Sequence, residues 1–264
     1  MGDISFQKVQ KFAQLSLDAY LPLDEIRDKY KNAVQAAGEE KEHDIRYFLI
    51  EEDGEAYLSF RGTADLENAL TDAEYALHFD NELGVYLHDG FQAAYHSAMK
   101  GIQPKIDTII QNGTGLNITG HSLGGAVAAI ALIHLSQTKA NIKSTITFGQ
   151  PKVTGKKGVA KFSSLDLLRV VDEEDLVPLV PPNTLLSEIH GGYRHFGKEL
   201  LLLEGDHYSL LEERDAEQSK VSSFWRNIGH ERLKDHYMAN YMKRIDDKIL
   251  KNEEVPYNEH KKFE

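Results

Sequence analysis

From Ile4 to Tyr20 the apolar residues Phe6, Val9, Phe12, Ala13, Leu15 and Leu17 recur at the three- and four-residue steps of one helical face. Pro22 with Asp24 and Glu25 then opens a second helical stretch, since proline and acidic side chains both suit a first helical turn. The runs His43 to Glu51 and Glu55 to Arg61 are apolar and β-prone, and Glu52-Asp53-Gly54 between them predicts a hairpin with an Asp-Gly turn. Beyond Gly90, Phe91 to Ile110 carries Ala94, Met99, Ile102, Ile106 and Ile110 at helical spacing and stops at Asn112-Gly113.

Leu116 to Thr119 then reads as a short strand, Ser122 to Leu135 as a helix of small residues, and Ile142 to Phe148 as a strand ended by Gly149-Gln150-Pro151. Strand, helix and strand within about thirty residues make a βαβ unit. Leu167 to Val171 and Leu200 to Glu204 add strands, and Glu231 to Ile249 a final helix with Leu233, Tyr237, Tyr241 and Ile245 on one face. The alternation predicts an α/β fold, a mostly parallel central sheet flanked by helices. No linker or repeat interrupts it, so residues 1–250 are expected to form one domain and residues 251–264 a flexible tail.

Composition narrows the partners. The 264 residues carry 42 acidic and 30 basic side chains, a formal charge of -12, which repels nucleic-acid phosphates and anionic bilayers. With no cysteine, disulfides and thiolate chemistry are excluded, and covalent catalysis must use another side chain. The start Met1-Gly2-Asp3-Ile4-Ser5-Phe6 has neither the basic residues nor the apolar run of a signal peptide, and no run of residues is apolar enough to span a bilayer. A cytoplasmic protein without integral membrane association is the expectation. Neither a His-Glu-x-x-His pattern nor ligand-spaced histidines occur, so no metal or other cofactor is implied.

Gly120-His121-Ser122-Leu123-Gly124 fits Gly-x-Ser-x-Gly, whose glycines let a strand turn sharply into a helix with the serine oxygen above the sheet. Here a predicted strand ends just before it and a predicted helix begins just after. A serine hydroxyl is almost wholly protonated at neutral pH, so it needs a histidine to take the proton and a carboxylate to orient that histidine, in the chain order Ser, acid, His. Asp172 and Asp175 lie just past a predicted strand and are equal candidates for the acid, with Asp166 behind them. Of the later histidines, His134 falls in the elbow's helix and His260 in the tail; His190, His195, His207, His230 and His236 remain.

The stretch Gly120 to Gly125 resembles the class 3 lipase family, the fungal triacylglycerol-lipase-like branch of the α/β-hydrolases. The same order of segments includes Phe60-Arg61-Gly62-Thr63, His88-Asp89-Gly90-Phe91 and Thr147-Phe148-Gly149-Gln150-Pro151. The resemblance implies Ser122 as nucleophile. It implies Asp175 as acid, through Arg169-Val170 followed by Asp175-Leu176-Val177-Pro178 and Pro181-Pro182, and His236 as base, through a segment Asp235 to Tyr241 similar to Asp-His-x-x-Tyr. His195, in Gly192 to Gly197, matches a family segment that does not carry the base. The resemblance further implies an oxyanion hole of the Leu123 N–H and Thr63, with Asp72 and His121 as supporting residues.

The expected activity is hydrolysis of a carboxylic ester, a small acyl ester or a lipid met in transient interfacial contact. Triacylglycerol lipase, short-chain esterase, phospholipase A1 and feruloyl-type esterase differ in pocket shape, which spacing does not reveal. In the family a short lid with a tryptophan follows the oxyanion residue. Here the stretch Ala64 to Thr71 has Ala69 at that place, which offers little apolar area to a droplet.

Overall fold

The computed structural model describes residues 4–31, 33–37, 45–63, 77–181, 192–211 and 234–263. The chain opens with α1 (Phe6–Asp18), whose Ser5 cap accepts from the Lys8 N–H, and α2 (Leu23–Lys29). Strand β1 (Val34–Ala37) precedes the hairpin of β2 (Arg46–Glu52) and β3 (Glu55–Phe60). Glu52 pairs with Glu55 across a two-residue turn in which Asp53 and Gly54 both have positive φ, so the Asp-Gly signal is borne out. Strands β4 (Leu77–Asp80) and β5 (Val85–His88) come next, and then α3 (Asp89–Asn112), closed by Gly113 in the left-handed region.

The centre of the molecule is β6 (Gly115–His121), α4 (Leu123–Leu135) and β7 (Asn141–Phe148). After it run β8 (Thr154–Gly155), α5 (Lys156–Phe162), β9 (Leu167–Asp172), β10 (Tyr193–Arg194), β11 (Lys198–Leu202), β12 (His207–Leu211), α6 (Met238–Asp246) and β13 (Glu253–Glu254). One nine-stranded sheet has the order β1-β2-β3-β6-β7-β9-β11-β12-β13. Its centre, from β3 to β11, is parallel throughout. A smaller antiparallel sheet orders β10-β8-β5-β4.

Alternation along each strand divides the core into two layers. On β2, Tyr47 and Leu49 face α3 and α4, whereas Phe48 and Ile50 face the layer that α1 and α6 cover. Helix α4 is buried on nearly every side, which its alanines permit by letting the sheet and α3 approach closely. The mostly parallel sheet flanked by helices is therefore as the periodicity predicts.

Two expectations need correction. The last helix covers only Met238–Asp246, and residues 234–236 form a separate 3-10 turn before it, so His236 lies ahead of the helix. The segment after Leu250 is docked rather than loose. Strand β13 adds to β12, Val255 joins Val171, Leu201 and Leu203 in a small cluster, and buried His260 sits 3.1 Å from Glu173. Its charged composition hides this, because the attachment is made by backbone pairing and a few apolar side chains.

Candidate active site

Ser122 stands between β6 and α4 at φ 58° and ψ −128°, a left-handed conformation that costs a non-glycine residue on the order of 1–3 kcal/mol. The surroundings enforce it. The Ser122 N–H donates to the Phe148 carbonyl at 2.9 Å, and the Ala126 N–H returns to the Ser122 carbonyl at 3.1 Å. A Cβ at Gly120 would overlap the carbonyl of Gly124, and one at Gly124 would overlap that of Phe60, so both motif glycines are required by close packing. The Ser122 hydroxyl makes no capping bond to the first N–H groups of α4, and among the described residues no side chain is seen to cap them. The helix thus presents positive N–H dipoles beside the serine oxygen.

His236 is buried, with Nδ1 2.7 Å from Asp175 Oδ2. Its Nε2 is buried and has no hydrogen-bond partner among the described residues. The imidazole lies against Gly149, where a Cβ would come within 2.6 Å of the ring's Cε1 and 2.9 Å of Asp175 Oδ2, and Gly149 itself has φ 55°. Because Gly149 follows the Phe148 carbonyl that holds the Ser122 amide, imidazole and serine share one rim of the sheet.

Asp175 is fully engaged. Oδ2 accepts from His236 and, at 2.6 Å, from the Tyr241 hydroxyl, while Oδ1 accepts from the Val177 N–H at 2.8 Å. A carboxylate with three donors is fixed in place. The other candidate, Asp172, points away, its Oδ2 2.8 Å from Arg244 Nε on α6. Of the two acids left equal by position, the structure brings Asp175 to the histidine. The Arg169 of the motif is structural, being buried on β9 and paired at 3.1 Å with Glu199, its register partner on β11.

Thr63, partly buried, ends the segment after β3. The neighbouring Gly62 lies so close to the nucleophile that a Cβ there would sit 3.0 Å from the Ser122 Cβ and 2.7 Å from the His121 carbonyl. Asp72 and the lid stretch around Ala69 lie outside the described residues, as do His190 and His230. Among the histidines set aside, His134 stacks on Tyr95 and His195 contacts the Pro178 carbonyl at 2.7 Å.

Three residues of the site were given no role by the sequence, although Gly149 and Tyr241 fall within segments that resemble the family. Gly149 reads as a strand end, Tyr241 as one helix face, and Tyr20 as the last residue of a helical run. Tyr241 is fully buried, and burial first, then the Asp175 charge, push its phenol well above the ordinary value, so it remains a donor.

A parallel sheet with a serine held at positive φ between strand and helix, and a histidine–aspartate pair on the same rim, defines the α/β-hydrolase fold class. Lipase II from Rhizopus niveus shares it, with a TM-score of 0.65 and 25% identity, covering 76% of this chain and 81% of that one. Residues 57–185 match the family described as lipase (class 3). The lipase of Rhizomucor miehei is 29% identical over 153 residues, which cover 54% of this chain and 40% of that protein. The secreted mono- and diacylglycerol lipase of Malassezia restricta is 31% identical over 148 residues, 52% of this chain and 43% of its own. The chain thus spans less than half the length of the curated relatives it matches.

The cytoplasmic expectation is corrected by these relatives. A secreted lipase among them points to an extracellular rather than a cytoplasmic protein. Among the described residues no helix is long and apolar enough to cross a membrane.

Proposed function

We propose that this chain hydrolyses carboxylic esters of lipids through an acyl-enzyme on Ser122. The supporting observation is the buried His236, tied through Nδ1 to Asp175 at 2.7 Å with Nε2 left unpartnered among the described residues, on the rim that carries a serine at positive φ. The Ser122 oxygen attacks the ester carbonyl while His236 Nε2 takes its proton, and Asp175 stabilises the imidazolium. The oxyanion is held by the Leu123 N–H and by Thr63 through its N–H and hydroxyl. Collapse expels the alcohol, which receives the proton from His236. A water molecule, deprotonated by His236, then cleaves the acyl-serine, releasing the acid and restoring Ser122.

Lipid as the substrate class follows from the family and from Tyr237, half-exposed directly beside His236, which offers an aromatic surface to an acyl chain. The charge of -12 disfavours nucleic acid and strongly anionic bilayers as partners. Initial rates on p-nitrophenyl esters of increasing acyl length should be measured for the native protein and Ser122→Ala. The expected result is activity in the native protein only, strongest on chains longer than about six carbons. A preference confined to shorter chains would move the reading to a soluble-ester esterase, and activity surviving Ser122→Ala would overturn it.

A further inference from the structure

We infer that Tyr20 and His121 form a hydrogen-bond relay that fixes the base and the oxyanion strand end relative to Ser122, and that both are positioning residues for the reaction. This deepens the reading of Ser122 and His236 as the reacting pair and rests on it. The polarity of the relay follows from its acceptors. His121 Nε2 is 2.7 Å from the backbone carbonyl of His236. A carbonyl only accepts, so Nε2 carries the proton. Nδ1, 2.8 Å from the Tyr20 hydroxyl, is then the bare nitrogen of a neutral ring and accepts from the phenol. The Tyr20 oxygen in turn accepts from the Gly62 N–H.

The order Gly62 N–H to Tyr20 to His121 to the His236 carbonyl joins four separate parts of the chain. Gly62 precedes Thr63, Tyr20 follows α1, His121 precedes the nucleophile, and His236 is the base. The two imidazoles lie with ring centroids 4.5 Å apart, and both are buried. A buried His121 must therefore remain uncharged beside a ring that becomes cationic in each turnover. Burial, then the neighbouring His236, hold its basicity well below the ordinary histidine value. A neutral ring can bind the His236 backbone without adding a second positive charge to the site, whereas lysine or arginine there would oppose imidazolium formation.

Displacing a catalytic group by about 1 Å costs on the order of a hundredfold in rate, which sets the scale of the test. Kinetics on a soluble p-nitrophenyl ester and thermal melts should be compared for the native protein, Tyr20→Phe, His121→Leu and His121→Gln, with Ser122→Ala as control. Tyr20→Phe is expected to lower kcat about tenfold with KM within about twofold, and the melting point is expected to fall by only about 2–4 °C. His121→Leu should lose about a hundredfold, and His121→Gln, which returns an N–H to the Nε2 position, should recover about tenfold of it. Independently of activity, nitrogen NMR at neutral pH should find His121 neutral and protonated on Nε2.

Native kcat in Tyr20→Phe, a glutamine variant no better than leucine, or a proton on Nδ1 would each overturn the relay. Activity surviving Ser122→Ala would instead overturn the ester-hydrolase reading and the relay's catalytic role with it, leaving the tautomer to decide the hydrogen-bond chain alone.

Discussion

At Gly149 a hydrogen in place of a side chain leaves the space that the His236 ring occupies, and the residue's φ of 55° already disfavours any Cβ. Gly149→Ala should therefore shift the imidazole and lower kcat by about a hundredfold or more. Unchanged kinetics would show that the ring is not seated there during catalysis. The two aspartates separate as sharply. Asp175→Asn should cost about a thousandfold or more in kcat, because the amide disturbs the tautomer and no longer stabilises the cation, whereas Asp172→Asn should cost less than about tenfold. The reverse order would exchange their roles. In the sequence Ser122 was legible because its motif sits between strand and helix, but Asp172 and Asp175 were separable only by resemblance. Three residues of spacing do not say which carboxylate faces inward. Tyr20, Tyr241 and Gly149 were illegible because each acts through a partner at least 66 residues away, at 101, 66 and 87 residues respectively.

Among the elements, the ones read from the sequence were those whose own residues determine them. The central parallel strands β3, β6, β7, β9 and β11 are apolar runs, and α1, α3 and α4 have clear periodicity or glycine boundaries. The short strands β8, β10 and β13 exist through pairing with distant strands, whereas β1, β4 and β5 are only four residues long and pair with a chain neighbour; Glu253-Glu254 in particular has no β-prone residue. Its attachment has a measurable consequence. Ending the chain at Leu250 removes β13, uncovers Val171, Leu201 and Leu203, and leaves Ser209 Oγ without the Val255 carbonyl to which it donates at 2.7 Å. The truncated protein should lose about 2–4 kcal/mol in urea denaturation. A midpoint equal to that of the full chain would mean that the tail contributes nothing to the sheet edge.

Over the whole molecule, two core layers flank the sheet, and Ser122, Gly149 and Asp175 follow the carboxyl ends of its parallel strands, where α/β folds place their sites. Stability should carry a pH signature from the same rim. Burial pushes the Asp172 carboxyl up from 3.8 to about 7, with the Arg244 guanidinium beside it offsetting part of the rise. The folded protein retains a proton that the unfolded chain has released, so this group's contribution is complete below about pH 4 and is lost as pH rises through about 7. Asp172→Asn should flatten the urea midpoint across that window, and a profile parallel to the native one would contradict the assignment. The central claim, that Ser122 is the activated nucleophile of an ester hydrolase, is tested most directly by treating the protein with a fluorophosphonate and mapping the adduct by mass spectrometry. A single adduct on Ser122, loss of esterase activity in step with labelling, and no labelling of Ser122→Ala are expected. An adduct on another residue, or full esterase activity after Ser122 is blocked, would contradict it.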